Sequence, residues 1–598
     1  MPVHLGRLKN LPRILNRRSL FAILSGLSLA ASFPKMSMAG LAWVAPGVML
    51  MTALGCSSGQ TFRLGYLAGL AHYLTSLYWL LNIPVSFAPV AGWLALAAYL
   101  ALYPAVWVWL CWKCFPNQSS KGTSTDPGTI FEDENAEKRE TVLPLLGVRA
   151  SFPFNILFTP ENRDLRAPKR GATWPSRAVW IFSCAALWVA LEMIVARLFT
   201  GFPWNLLGAS QYQVLPLIQI ASLTGIYGVS FLVVWCSVAL ASSVLSFVQR
   251  PALRWFWLGD LALPLLALMI DLIFGVTKFF RPQPDTAELK VALIQPSIPQ
   301  KMIWDPKENS TRFKKLLELS ELALATKPDL LIWPEATVPG LLRFEEEVYQ
   351  PITNLVRTHH TWLLLGADDA ELAPLPGGGM ATNYYNSSFL VNPDGNIAGI
   401  YRKRQLVIFG EYVPLASWLP LMKYLTPIDG GFTPGDRPVS FTTTGPKVKM
   451  SVLICFEDTF PHLAREYVED DTDFLVNITN NGWFGESAAQ WQHAASAVFR
   501  AVENGLPLVR CCNNGLSCWI DERGRVRQIY GLESKDIYGA GFMTARIPLL
   551  GPDEKRASTF YNRHGDWFGW GCVAMVVVRL GWRLLRFPSP PRTRRGSG

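Results

Sequence analysis

Over the first 280 residues, and again near the far end of the chain, apolar positions gather into long runs instead of alternating with polar ones. Runs of membrane-spanning length fall at about 19–33, 38–55, 62–82, 90–114, 178–199, 218–247, 256–277 and 566–585, since a helix needs about 20 apolar residues to cross the hydrocarbon core. The pattern predicts a multi-pass α-helical membrane domain of about eight transmembrane helices. Between residues 286 and 550 the texture changes. Apolar runs of strand length appear at 289–296, 329–335, 361–367, 387–395, 448–457, 473–479 and 507–513, separated by helical patterns at about 307–326, 343–358, 460–468 and 488–504. Strands alternating with helices imply an α/β domain of layered sheets, whose functional groups gather where strands end.

Three parts follow: residues 1–280 with seven spans, a domain at 286–550, and a last span with a basic tail at 564–598. Residues 117–175 interrupt the first part. They are rich in Ser, Thr, Pro, Asn and both charges without a sustained period, and read as a flexible cytoplasmic insertion. Half of the 598 residues are hydrophobic and 17% are charged, against about a quarter charged in soluble proteins, so the excess belongs in lipid.

Lysine and arginine orient the spans, because short cytoplasmic loops carry the positive excess. Arg7, Lys9, Arg13, Arg17 and Arg18 precede the first span; with them inside, Arg63, Lys169, Arg170, Arg250 and Arg254 also fall inside. The outer loops near 34–37, 82–90 and 200–217 hold only Lys35, and the eighth span returns Arg583, Arg586, Arg592, Arg594 and Arg595 to the cytoplasm. The 286–550 domain is therefore expected outside it. The first run, after Arg17 and Arg18 and before small residues near Ala39, also fits a cleavable signal peptide, but the spans directly behind it favour an uncleaved anchor. The net charge of +10 is assigned to topology and anionic lipid contact and not to nucleic acid. Cys111 and Cys114 have metal-ligand spacing but no second pair, so no metal site is expected. Cys511, Cys512 and Cys518 could oxidise outside the cytoplasm, although neighbours such as Cys511 and Cys512 rarely bridge each other.

Three candidate strand ends carry chemistry: Glu335 after "LLIWP", Lys403 in "GIYRKRQLVIFGEYVP" and Cys455 after "SVLI". Singly they have plain readings, as a cap, a solvated charge beside Arg402 and Arg404, and a core thiol. Together they make an acyl-transfer set. The carboxylate takes the thiol proton, the sulfur attacks a carbonyl, and the ammonium stabilises the oxyanion.

The stretches "WPEA", "YRKRQLVIFGEYVP", "ICFED" and "NGWFGESAAQWQHAASAVFRAVENGLPLVRCCNNG" resemble the nitrilase-type carbon–nitrogen hydrolase superfamily and, within it, the apolipoprotein N-acyltransferase family; "TGFPWNLLGASQYQ" and "LTGIYGVSFLV" resemble that family's membrane half. The resemblance implies an α-β-β-α sandwich for 286–550, with Glu335 as base, Lys403 as oxyanion partner and Cys455 as nucleophile. It also implies supporting roles for Glu411, Glu457 and Phe456, and for Trp304 in a loop over the acyl site. Two of these have a plainer rival reading, Glu411 as a surface carboxylate at a turn before Pro414 and Trp304 as a simple hydrophobic clasp. Period-2 alternation would put Cys455 and Glu457 on one face, with Phe456 opposite. The loops 302–306 and 417–428, "MIWDP" and "SWLPLMKYLTPI", are candidates to dip into the interface and cover the site. Three positions depart from the family pattern: Phe456 where tyrosine is common, Ile408 where proline is common, and Asn481-Gly482 where an acid often precedes "WFG". The implied activity is transfer of an acyl chain from a membrane phospholipid to the N-terminal amine of a diacylglyceryl-lipoprotein. It would run through a cysteine thioester in the bacterial inner membrane, with a periplasmic catalytic domain and no cofactor, the chain acting as a monomer. Two rivals are a membrane-anchored amidase or nitrilase, and a transporter with an accessory domain. Few intramembrane charges (Glu192, Arg197 and Asp271) and no visible repeat count against the transporter.

Overall fold

The computed structural model describes residues 16–85, 87–114, 173–249, 254–282, 286–374, 378–413, 431–551 and 558–585. The basic residues before Asn16, the 117–175 insertion except for its last three residues, the 417–428 loop and the tail beyond 585 lie outside these residues.

Among the described residues, four helices are long and apolar enough to cross a membrane: Ala88–Lys113, Trp174–Val195, Ile226–Val248 and Trp257–Phe279. The structure supports a helical membrane half and falls short of the expected eight. The run at 38–55 forms a short 3₁₀ turn and the eight-residue helix Ala45–Thr52, and 19–33 yields the 15-residue Arg17–Ala31. Ser58–Ser76 reaches 19 residues, but Gln60, Arg63 and His72 dilute its hydrophobicity. Near the far end, the apolar helix Trp567–Trp582 is also shorter than the four. Close packing in this half rests on small residues: a Cβ on Gly65 or Gly69 would stand 2.8 Å from the Cα of Ala105 or Ala101, the close approach that small-xxx-small spacing allows. The intramembrane charges face protein. Glu192 accepts from Trp188 Nε1 at 3.0 Å and Leu207 N at 2.8 Å, Arg197 pairs with Asp566, and Asp271 is 3% exposed.

Among its described residues the 286–550 region holds twelve strands. β1 to β5 are Glu288–Gln295, Leu330–Ile332, Trp362–Pro374, Met380–Val391 and Ile397–Arg402. β6 to β11 are Ser440–Thr443, Val448–Ile454, Phe474–Thr479, Leu508–Cys512, Cys518–Ile520 and Val526–Ile529, and β12 is Gly541–Pro548. They form two six-stranded sheets, ordered β12-β1-β2-β3-β4-β5 and β11-β10-β9-β8-β7-β6. The parallel centres, β1-β2-β3 and β7-β8-β9, come from the sequence-predicted runs. They read as unbroken apolar runs because both faces are covered.

Alternation still sorts the faces. Leu293, Ile332 and Leu364 join Ile454, Ile478 and Cys511 in the core between the sheets. Ala292, Ile294, Leu331, Leu363 and Leu365 turn outward onto helices Asn309–Leu324 and Glu346–His359, meeting Phe313, Leu316, Ile352 and Leu355. The second of these helices shows why it forms: Val348, Ile352, Leu355 and Val356 share a buried stripe. Glu346 and Glu347 sit in its first turn and Arg357 and His359 in its last, each matched to the helix dipole. On the other sheet lies helix Ala489–Asn504, buried except for the half-buried Trp491 and ended by Gly505 at φ +64°, a left-handed cap that glycine adopts at least cost. The result is an α-β-β-α sandwich.

Candidate active site

Glu335, Lys403 and Glu411 meet in one buried cluster, 5%, 1% and 8% exposed. Lys403 Nζ donates to Glu411 Oε1 at 2.8 Å and to Glu335 Oε1 at 3.4 Å. β5 explains how a lysine between two arginines turns inward. Its last residue, Arg402, pairs with Asp369 and Glu371, and Arg404 reaches Glu466 at 2.8 Å, while Lys403 takes the opposite side. Burial alone would lower the Lys403 pKa; Glu411 and then Glu335 outweigh it and hold the ammonium well above the ordinary lysine value. Glu335 leaves β2 through Pro334, followed by Ala336 at φ +57°. The turn lies so close to β3 that a Cβ on Gly366 would stand 2.8 Å from the Glu335 Cα.

Asn386, which the motif reading did not single out, organises this cluster. Its Nδ2 donates to Glu335 Oε1 and to Glu411 Oε1, both at 2.8 Å, and its carbonyl accepts from Lys403 N at 2.8 Å. The second oxygens are held by backbone: Asn480 N donates to Glu335 Oε2 and Val407 N to Glu411 Oε2, each at 2.8 Å. Both carboxylates therefore have fixed positions, each oxygen hydrogen-bonded.

Cys455 stands one residue past β7, at φ +53°, opening the 3₁₀ turn Cys455–Thr459. Its carbonyl accepts from Asn477 Nδ2 at 2.8 Å. Burial, then the Glu335 charge, push the thiol well above its usual pKa, and the Lys403 ammonium opposes them. At rest the site therefore holds a thiol, and a base must take its proton when it reacts.

Because the strand stops at Ile454, alternation does not carry on to Glu457. The carboxylate instead folds back: Glu457 Oε2 accepts from Ile454 N at 2.7 Å, and Oε1 accepts from Arg404 N at 2.8 Å and Gln405 N at 3.1 Å. Tyr401 OH donates to it at 2.8 Å. Glu457 thus ties the Lys403 segment to the Cys455 turn. Phe456 is 8% exposed and packs edge-on against Phe460, with ring centres 4.9 Å apart. Trp304 ends helix Gln300–Trp304, half-exposed, its ring edge-on to Trp483 at 5.1 Å; it belongs to the rim and not to the polar cluster. Ile408 bridges Tyr412 across the tight turn that carries Glu411. Asn481 donates to Gly515 O at 3.1 Å and faces His493. All ten cysteines are free thiols.

Behind the turn, Asp458 accepts from Arg510 Nη1 and meets His493 Nε2 at 2.7 Å, all three side chains buried. Burial would raise the Asp458 carboxyl; His493 and Arg510 overcome it and hold it below the usual range. The "D" of "ICFED" and the "WQH" stretch were the only signals of this network, and nothing in their spacing links them.

A sandwich of two sheets with a buried carboxylate, ammonium and thiol at the strand ends defines a carbon–nitrogen hydrolase domain, and the carbon–nitrogen hydrolase family model matches residues 290–547. The apolipoprotein N-acyltransferase N-terminal domain model matches 25–121 and 150–239. Apolipoprotein N-acyltransferase of Geobacter metallireducens is 35% identical over 96% of this chain and 98% of its own, and that of Allorhizobium ampelinum 29% identical over 94% and 96%. The chain belongs to the apolipoprotein N-acyltransferase family. Among solved structures, an amidase of the nitrilase superfamily from Nesterenkonia is 16% identical with a TM-score of 0.33, covering 50% of this chain and 98% of its own. Nit3 of Saccharomyces cerevisiae is 20% identical with a TM-score of 0.31, covering 44% and 90%.

Proposed function

We propose that this chain moves an acyl chain from a membrane phospholipid to the N-terminal amine of a diacylglyceryl-cysteine lipoprotein by way of a thioester on Cys455. The observation that carries the reading is Lys403, clamped between Glu335 and Glu411 beside a half-buried thiol, in a domain docked on a helical membrane half. Glu335 takes the thiol proton as the sulfur attacks the phospholipid ester carbonyl. Lys403 has three N–H donors, two of them directed at carboxylates; the third stabilises the oxyanion. The ester C–O bond then breaks, Glu335 gives its proton to the leaving alkoxide, and a lysophospholipid departs. In the second half the acceptor amine attacks the thioester, its surplus proton passes to Glu335, and as the C–S bond breaks Glu335 gives that proton to the departing sulfur, restoring the thiol and the carboxylate. Glu411 and Asn386 hold the lysine and the base in register throughout.

Both substrates are anchored by their own chains, each buried CH₂ contributing about 0.8 kcal/mol, so a tethered catalytic domain meets them at the membrane surface. The reading divides the chain into spans within 1–280, a catalytic domain at 286–550 and a last span within 564–598, in the bacterial inner membrane. The catalytic domain lies on the periplasmic side and the 117–175 insertion in the cytoplasm. The positive-inside pattern supports this orientation. Reporter fusions at about residues 145, 400 and 590 test it, and a cytoplasmic signal at 400 sinks it.

The chemistry is tested by incubating the purified protein with phospholipid alone. A hydroxylamine-sensitive acyl adduct on Cys455 and a released lysophospholipid are expected before any acceptor is present, and a diacylglyceryl lipopeptide added afterwards gains a third chain. Complete transfer with Cys455 unmodified in rapid-quench samples removes the thioester from the mechanism.

A further inference from the structure

Helix Ala489–Asn504 carries two adjacent polar side chains that the chemistry above does not use, Gln492 and His493, 3% and 1% exposed. Gln492 spends its whole hydrogen-bonding capacity on the membrane half. Its Oε1 accepts from Trp79 Nε1 at 3.0 Å and Trp204 Nε1 at 2.9 Å, and its Nε2 donates to Pro34 O at 2.9 Å and Ser76 O at 3.1 Å. These partners come from three separate places: the loop after Arg17–Ala31, the end of Ser58–Ser76 with the turn behind it, and the segment before Leu207.

His493 points about 100° further round the helix. Its Nε2 meets Asp458 Oδ1 at 2.7 Å, inside the Cys455–Thr459 turn, and its Nδ1 lies 3.1 Å from Asn481 Oδ1. The Trp204 ring, which grips Gln492, also packs on the His493 ring with centres 5.2 Å apart. One turn of helix is thus bonded to the membrane half on one side and to the nucleophile turn on the other.

We propose that Gln492 and His493 couple the seating of the catalytic domain on the membrane half to the conformation of the Cys455 turn, with His493 as a positioning residue for the nucleophile. Packed interfaces shift between discrete arrangements and do not bend continuously. A change of seat as one lipid leaves and the next enters therefore reaches the thiol through Asp458. The proposal rests on Cys455 as the reacting thiol.

The test uses the full chain in detergent micelles and two readouts. One is acyl loading from phospholipid mixed micelles; the other is the rate constant for alkylation of Cys455 by iodoacetamide, read by peptide mass mapping, which needs no lipid substrate. His493→Leu and Gln492→Met are each expected to lower the loading kcat at least about ten-fold, with the phospholipid KM within about two-fold, and to change the alkylation rate constant at least about three-fold. His493→Gln, which keeps a donor toward Asp458, recovers most of both. Trp79→Phe removes one bond to Gln492 while keeping a ring in place, moves the alkylation constant in the same direction by less, and decides the matter if His493→Leu does not fold. Gln492→Met and Trp79→Phe that raise KM but leave alkylation at the wild-type rate make the helix a dock without transmission and overturn the proposal, as does a His493→Leu protein with both readouts unchanged. If wild type takes up no acyl chain while alkylation responds as described, the coupling stands and the assigned substrate falls.

Discussion

Two thiols on one sheet, Cys455 just past β7 and Cys511 within β9 with β8 between them, have opposite surroundings. Burial raises the pKa of both. Cys511 lies wholly in the core between the sheets, its Sγ 3.3 Å from Ile294 O and Ile332 O, and its next electrostatic neighbour is another cysteine. Cys455 sits past the end of its strand in a left-handed conformation, half-buried, under the opposed charges of Glu335 and Lys403. Burial alone leaves Cys511 with nothing to activate it, whereas Cys455 has a carboxylate and a cation beside it, the setting that its proposed role as nucleophile requires. The backbone contributes as well. A φ of +53° costs a non-glycine residue about 1 kcal/mol or more, a strain concentrated where the chain must turn the sulfur out of the sheet.

The comparison breaks most sharply at the sulfur itself. Cys455→Ala is expected to abolish both the acyl adduct and transfer, with a drop of at least about 10⁴-fold and a folded protein by its thermal transition. A Cys455→Ala enzyme that still transfers would move the nucleophile elsewhere.

Removing the charges comes next. Lys403→Met and Glu335→Gln should each lower transfer by about 10²–10³-fold, and Lys403→Met should also destabilise the fold by about 3–5 kcal/mol, since it leaves two buried carboxylates without their cation. The thiol separates the two variants by sign. Glu335 pushes the Cys455 pKa up and Lys403 pulls it down. The pH midpoint for iodoacetamide alkylation of Cys455 should therefore fall in Glu335→Gln and rise in Lys403→Met, even though both variants lose transfer. Midpoints moving in the same direction would show that the two groups do not flank the sulfur as described.

How far the sequence reaches is clear from the same residues. The runs that became β7, β8 and β9 were legible because apolar residues fill both faces, and the triad was legible because each member ends or follows a strand. β2 is shorter than its run, Leu330–Ile332 against 329–335: β2 pairs through only three residues, and Pro334 beyond them has no N–H to offer. β5, which delivers Lys403, shows in the sequence only as a strand end without bounds, because it is six residues long, largely half-exposed and interrupted by Gly399. The alternation argument for Glu457 failed because it needs a strand, and the chain had already left the sheet at Ile454. Asn386 could not be found at all in "NYYNSSFLV", where Asn383 and Asn386 look alike. Only the pairing of β4 with β5, Ser387 opposite Arg402, sets it beneath both carboxylates. In the membrane half, hydropathy located the helices, four of which among the described residues are long and apolar enough to span.

A smaller effect is expected there. Asn386→Leu keeps the volume but takes two N–H bonds from charged acceptors, each worth about 1.5–3 kcal/mol when made to a charged group. Part of the loss is recovered by rearrangement, so transfer should fall about 10–100-fold, with 1.4 kcal/mol per factor of ten. Acyl loading and lipopeptide acylation should fall together, because Asn386 holds the base and the lysine for both half-reactions. A variant slowed in only one of them would assign the asparagine to a single substrate.

The smallest effect falls on the second thiol. Cys511→Ala deletes one sulfur from the closed core between the sheets, leaving a gap too small for water and two weak S–H contacts unmade. The cost is that of a small core truncation, about 1–2 kcal/mol by analogy with losing one or two methylene-sized groups, visible as a lower thermal midpoint. The backbone of β9 is held by its parallel pairing with β8, Ile478 opposite Cys511, so the strand and the Cys455 turn beyond β8 keep their places. Acyl loading at a temperature well below the transition should stay within about two-fold of wild type, and a Cys511→Ser variant, which buries a hydroxyl with poorer partners, should lose more stability than the alanine and no more activity. If Cys511→Ala instead lost loading while its thermal midpoint held, the core thiol would take part in the chemistry, and the contrast between inert and reactive cysteine would have to be drawn on other grounds than the neighbouring charges.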